Sequence, residues 1–154
     1  MRNDDVVTMM NAGLMTATSH TLPLGSAYIV TKFKGEMNRL FKAFNEKASQ
    51  LAAEAGIEDS VAFDKRREEL NAKEHRSSAE TKELAKMNEQ LDRLIGLRTK
   101  HLEDEAEIHI KPMPYKDWRE FKEENKAIKV DGYELFELVE YKLEDILWKA
   151  PEDE

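Results

Sequence analysis

Residues 28–55 read YIVTKFKGEMNRLFKAFNEKASQLAAEA, and the step between their apolar positions decides the fold. Val30, Phe33, Met37, Leu40, Phe41, Phe44, Ala48, Leu51 and Ala55 recur at intervals of three and four. That spacing lays them along one stripe of an α-helix, the seam by which one helix packs along another. A partner seam follows in KELAKMNEQLDRLIGLRTKHLED, residues 82–104, where Leu84, Met87, Leu91, Leu94, Arg98 and then His101 or Leu102 keep the same step. Between the two, residues 56–81 open on a stop at Gly56 and an Asp59/Ser60 cap, then read as a shorter polar helix ending near Ser77 and Ser78. The expected result is a long antiparallel helical hairpin over residues 24–103 with an elaborated tip. Arms of about 25 residues are about 40 Å long at 1.5 Å per residue. That is longer than one compact domain needs, so part of each stripe should face a partner, and a homo-oligomer is expected.

Upstream, Asn3, Asp4 and Asp5 can cap a helix that presents Val6, Val7, Met10 and Leu14 on one face, within an N-terminal segment over residues 1–20. Gly13 weakens that helix, the run TATSHTLP ends it, and Pro23 fixes φ for a second helix starting near Leu24 to Ser26. Downstream of Glu103 the period changes to two. Ala106, Ile108 and Ile110 face one way and Glu105, Glu107, His109 and Lys111 the other, which reads as a strand ended or held at an edge by Pro112 and Pro114. YKDWREFKEEN reads as a short helical turn, and AIKVDG as an extended piece closed by Asp131-Gly132. Ile128 and Val130 are expected to pair with Ile108 and Ile110 in a two-stranded β-ribbon over residues 105–131. A closing helix over residues 132–149 should bury Leu135, Leu138, Val139, the Lys142 stem, Ile146 and Leu147, and residues 150–154 form an acidic tail. The chain thus reads as a single mainly α domain over residues 1–154.

Composition narrows the function classes. A charged fraction of 36% and a net charge of -8 fit a well-solvated surface and argue against a nonspecific nucleic-acid coat, whose affinity comes from neutralising phosphates. With no cysteine, thiol redox chemistry and thiolate metal sites are excluded. The start pattern lacks signal-peptide character and no stretch approaches the roughly 20 apolar residues of a membrane span, so an intracellular, membrane-free chain is expected.

Three blocks, TLPLGSAYIVTKFKGEMNRL, EAEIHIKPMPYKDW and DGYELFELVEYKLEDI, resemble a family of small uncharacterised proteins of tailed bacteriophages. The likeness rests on Leu22-Pro23 before Tyr28 and Lys32, on the strand after the return helix, and on the closing helix. This sequence departs from that pattern by a longer tip, residues 59–80, and by its acidic tail. The resemblance implies a phage product acting in the cytoplasm of an infected bacterium or on the virion. It implies no reaction.

His101 and His109 flank LEDEAEI, but the strand break parts them and no His-Glu-x-x-His spacing is present, so no metal is expected. The acidic pairs read as solvated faces, and neither a glycine-rich phosphate loop nor a nucleophile elbow occurs. An enzyme is not expected, nor is a cofactor. A basic and aromatic set remains: Lys32, Lys34 and Arg39 on the second helix, Arg98 and Lys100 on the return helix, and Lys111, Tyr115, Trp118 and Arg119 after the strand. Guanidinium forks grip phosphates and aromatic faces stack on bases, so Lys32, Arg39, Arg98, Lys111, Tyr115, Trp118 and Arg119 are the candidate anionic-ligand residues. Alternatively Arg98 snorkels or pairs with Glu36 or Asp92, while Tyr115 and Trp118 cap the core. Two functions follow. One is a non-catalytic accessory of virion or tail assembly, partnered by itself and by a phage structural protein. The other is a counter-defence protein that sequesters a small cyclic or ADP-ribose-derived nucleotide signal.

Overall fold

Short polar runs set the helix ends. α1 (Asn3–Asn11) starts where the Asp5 carboxylate accepts the Arg2 N–H at 2.9 Å, so the cap falls one residue before the Asn3-Asp4-Asp5 run. It stops short of Gly13, whose φ of 98° lies in the left-handed region that glycine alone adopts without steric cost. The computed structural model describes the backbone of residues 1–149 and the side chains of residues 1–143. The fold is mainly α. α2 (Leu24–Glu54) follows Pro23 directly, as expected, and closes with the Ile57 N–H returning to the Ala52 carbonyl at 2.8 Å. α3 (Ser60–Ala72) is capped by Asp59, which accepts from the Ala62 N–H at 3.0 Å. α4 (Ser78–Glu103) begins at a reciprocal box in which Ser77 Oγ accepts the Glu80 N–H and Glu80 accepts the Ser77 N–H, each at 3.1 Å.

Contacts divide the chain into two units, one of residues 1–43 with those from 104 onward, the other of residues 44–103. The second unit is the part of the expected hairpin from Phe44 to Glu103, whereas the seam residues Val30, Phe33 and Met37 of α2 pack into the core of the first unit. Leu51, Ala55 and Ile57 meet Leu94, while Leu70 on α3 meets Leu84 and Met87 on α4, and Phe63 touches both clusters. Phe44 and His101 stack with ring centroids 4.3 Å apart and 7° between planes, and His101 Nε2 lies 3.0 Å from the Phe44 carbonyl. His101 is therefore a packed seam residue.

The first unit holds the larger core, with Val6, Met9, Leu14, Phe33 and Met37 packed together with Ile108, Trp118, Phe121, Phe136 and Val139. Its strands depart from expectation. Ala106 and Ile108 are buried and Glu105, Glu107 and His109 exposed, so the alternation of faces holds. The partner does not: apart from a bridge between Arg2 and Glu105, residues 105–112 form no ladder. β1 (Met113–Pro114) comes next, then α5 (Tyr115–Glu124), β2 (Lys129–Val130) and β3 (Tyr133–Glu134). β2 pairs antiparallel with β3, not with Ile108 and Ile110. The cause is local. Asp131 and Gly132 both carry positive φ, 49° and 84°, as a type I′ hairpin turn requires, and its twist matches that of the flanking strands.

α6 (Leu135–Leu147) leads into β4 (Trp148–Lys149), which pairs parallel with β1. The buried face of α6 is Leu135, Phe136, Val139 and Leu143; Leu138 is half-buried and Lys142 exposed, so the apolar stripe is rotated from the expected one. Ile146 and Leu147 lie outside the described side chains, and the expected acidic tail lies outside the described residues. On α1 the buried pair is Val6 and Met9 rather than Val6, Val7 and Met10, with Leu14 carried in by a 3-10 turn (Leu14–Thr16). None of the described helices is long and apolar enough to cross a membrane.

Candidate functional site

Helical spacing puts Tyr28 and Lys32 one turn apart on an exposed face of α2, with Ile29 beside them half-buried. Period-two spacing puts His109 and Lys111 on the outward side of the extended run, with Ile110 between them turned inward. These six residues line one cleft of about 340 Å³ in the first unit. Lys32 Nζ sits 5.4 Å from the Tyr28 ring centroid, a cation–π distance. Neither Lys32 nor Lys111 pairs with a carboxylate among the described residues, whereas His109 Nε2 lies 3.6 Å from Glu107. Glu36 stands one turn beyond Lys32. Arg39, bonded to it at 2.8 Å, and more weakly His109 and Lys32, hold its carboxyl below the usual range. The cleft thus offers two ammonium groups outside any ion pair, an imidazole, a half-covered aromatic face and two aliphatic side chains.

The expected seven-residue set divides. Lys32 and Lys111 come together in that cleft. Arg39 is tied to Glu36 and does not line it. Tyr115 and Arg119 share a second, shallower depression of about 500 Å³, the guanidinium carbon 6.0 Å from the Tyr115 ring centroid. Its floor mixes cations with Glu120, Glu123, Glu134 and Glu137, and Lys122 is already engaged by Glu137 and Glu140. Arg98 belongs to the second unit, exposed on α4 and in no ion pair with either Glu36 or Asp92. Trp118 is 0% exposed, 5.6 Å from Phe121 and 6.1 Å from Phe136 between ring centroids. Stacking on a ligand is thereby closed to it, and the core-capping alternative describes it.

Sequence reasoning passed over Tyr28 and His109 as ligand groups. The signal for both was periodicity: Tyr28 is four residues before Lys32, and His109 two before Lys111.

Two further polar clusters are structural. Ser26 Oγ donates to Asp117 Oδ2, both nearly buried, which fixes α2 against the first turn of α5, where a carboxylate meets the positive helix end. At the other end of α5, Asn125 Nδ2 donates to the Thr18 and Phe121 carbonyls at 2.8 and 2.9 Å, and its Oδ1 accepts the Thr18 N–H at 2.8 Å. Glu124 accepts from Thr18 Oγ1 and the His20 N–H at 2.9 Å, and from Thr21 Oγ1 at 3.0 Å. Burial works to raise the Glu124 pKa, but these donors outweigh it and hold the carboxyl below the usual range. Together they strap residues 18–21 to α5. Among the described residues no cluster of three or more His, Asp or Glu side chains could hold a metal ion. No family model, curated protein or solved structure matches the chain.

Proposed function

We propose that this chain is a non-catalytic, self-associating helical binding protein of a tailed bacteriophage, acting as an accessory in virion or tail assembly. The observation that supports it is the incompletely covered stripe of the hairpin unit. Phe44, Ala48 and Leu91 hold seam positions yet are only half-buried, as is Leu97 beside the seam, and Ile95 is 52% exposed. Apolar positions repeated along one helix and left half-covered are what a second helix surface removes from water. The test is native mass spectrometry of the purified protein and of Ile95→Glu. Ile95 is exposed in the single chain, so the charge leaves the hairpin folded while disfavouring a docked apolar face. An oligomer that falls to monomer in the variant supports the reading. A monomer in both refutes self-association through this stripe.

A second reading, sequestration of a host nucleotide signal, is favoured by one specific observation: the unpaired Lys32 and Lys111 beside Tyr28. Adding cyclic and ADP-ribose-derived nucleotides to the same spectra discriminates between the two. A stoichiometric adduct lost on substitution of Lys32 promotes the second reading; an oligomer without adduct favours assembly.

A further inference from the structure

We propose that the cleft of Tyr28, Lys32, His109 and Lys111 is a site for one phosphorylated planar ring, a single nucleotide unit per chain, a proposal that rests on the sequestration reading. Three observations converge. First, Lys32 and Lys111 bring two ammonium groups to one rim from different segments, and neither makes an ion pair with a carboxylate among the described residues, Glu36 near Lys32 being bonded to Arg39. In a chain with 32 acidic residues against 24 basic ones, two lysines outside ion pairs meet at one opening, where Glu36 is already bonded to Arg39 and Glu107 stands beside His109. Second, Tyr28 is 60% exposed, so its ring keeps a free surface for stacking while Lys32 approaches it at 5.4 Å. Ile29 and Ile110 extend that surface with aliphatic area, suited to the flat face of a heterocycle rather than to a bare inorganic anion. Third, the volume is small. About 340 Å³ lies at the small end of the roughly 300–1,000 Å³ typical of small-molecule sites, which matches one base with its sugar phosphate.

His109 adds a polar ring to the same rim, its Nε2 3.6 Å from Glu107. The recognition is therefore of a phosphate ester by the two ammonium groups and of a ring by Tyr28. No bond is made or broken.

The experiment is isothermal titration calorimetry of the full chain with 5′-AMP, adenosine, inorganic phosphate, a cyclic dinucleotide and a short single-stranded DNA. Submillimolar binding of 5′-AMP at one site per chain is expected, with adenosine and phosphate each at least about tenfold weaker, which is ~1.4 kcal/mol. Lys32→Ala and Lys111→Ala should each weaken 5′-AMP about tenfold, and raised salt should do the same. Tyr28→Ala should weaken it while Tyr28→Phe restores it. Lys126→Ala, whose ammonium pairs with Glu123 at 2.7 Å away from the cleft, should change nothing. All these side chains are exposed, so circular dichroism should report an unchanged fold in each variant. If 5′-AMP fails but the dinucleotide binds and depends on Lys32 and Lys111, the single-nucleotide assignment is overturned and sequestration survives. Failure of both, or binding indifferent to the three substitutions, overturns the site and the sequestration reading together. DNA binding tenfold tighter than 5′-AMP overturns the assignment in favour of a strand.

Discussion

Asn125→Ala should loosen the segment between α1 and α2 far more than a substitution at a helix end ordinarily does. The Asn125 side chain is 5% exposed and works like a paired backbone strand, accepting the Thr18 N–H and donating to the Thr18 and Phe121 carbonyls. Alanine removes three hydrogen bonds whose net worth is about 1 kcal/mol each. Thr18 is exposed, and water can replace part of what it loses, so the expected cost is about 2 kcal/mol rather than 3. For a chain of this size that is a fall of about 4–8 °C in melting temperature. Both tryptophans, Trp118 and Trp148, belong to the first unit, so tryptophan fluorescence during urea unfolding follows the unit that carries the clamp. Amide exchange at Thr18, His20 and Thr21 should rise in parallel. Asn125→Asp separates the two roles, because a carboxylate still accepts from Thr18 but faces the two carbonyl oxygens with no proton to give. It should cost at least as much as alanine at neutral pH. A loss below about 0.5 kcal/mol in the alanine variant, with exchange at residues 18–21 unchanged, would refute the claim that Asn125 holds this segment.

Acid should release the same strap through Glu124. Its folded pKa lies below the ordinary glutamate value, so the unfolded chain protonates first as pH falls; the stabilisation is complete above the unfolded value and is lost as pH drops through the folded one. Glu124→Gln should flatten that part of the stability–pH curve, and an unaltered acid limb in the variant counts against the clamp. At the hairpin tip, Glu80 is held down to about 2, chiefly by Lys73 and then by the Ser77 N–H, so Lys73→Ala should move its NMR titration up toward 4.5. Gly132→Val forces a β-branched residue to φ 84° and should cost about 1–2 kcal/mol, read by the same fluorescence melt, with Gly132→Asn milder. Equal melts for both variants would mean that the turn does not hold that conformation.

What the sequence made legible follows from which interactions are periodic. Helix seams repeat, so the hairpin, its cap at Asp59 and its tip helix were readable before any coordinates, as was the burial of Ala106 and Ile108 against the exposure of their neighbours. Pairing does not repeat in the same way. The choice of a strand partner turned on two residues, Asp131 and Gly132, whose positive φ values make a hairpin with the adjacent segment cheaper than closing a loop back to Ile108. That signal stood in the sequence and was outvoted by a hydrophobic match at longer range. The candidate site behaves likewise. A list of cations and aromatics cannot say which are already satisfied. Arg39 is spent on Glu36 and Trp118 on the core, while Lys32 and Lys111 stay unpaired because the helical period and the strand period happen to point them outward at the same rim. Residue type therefore proposes and geometry selects. The geometry brings Tyr28 and His109 to the same cleft, residues with less obvious phosphate chemistry than an arginine, because exposure and not residue type decides which groups line an opening.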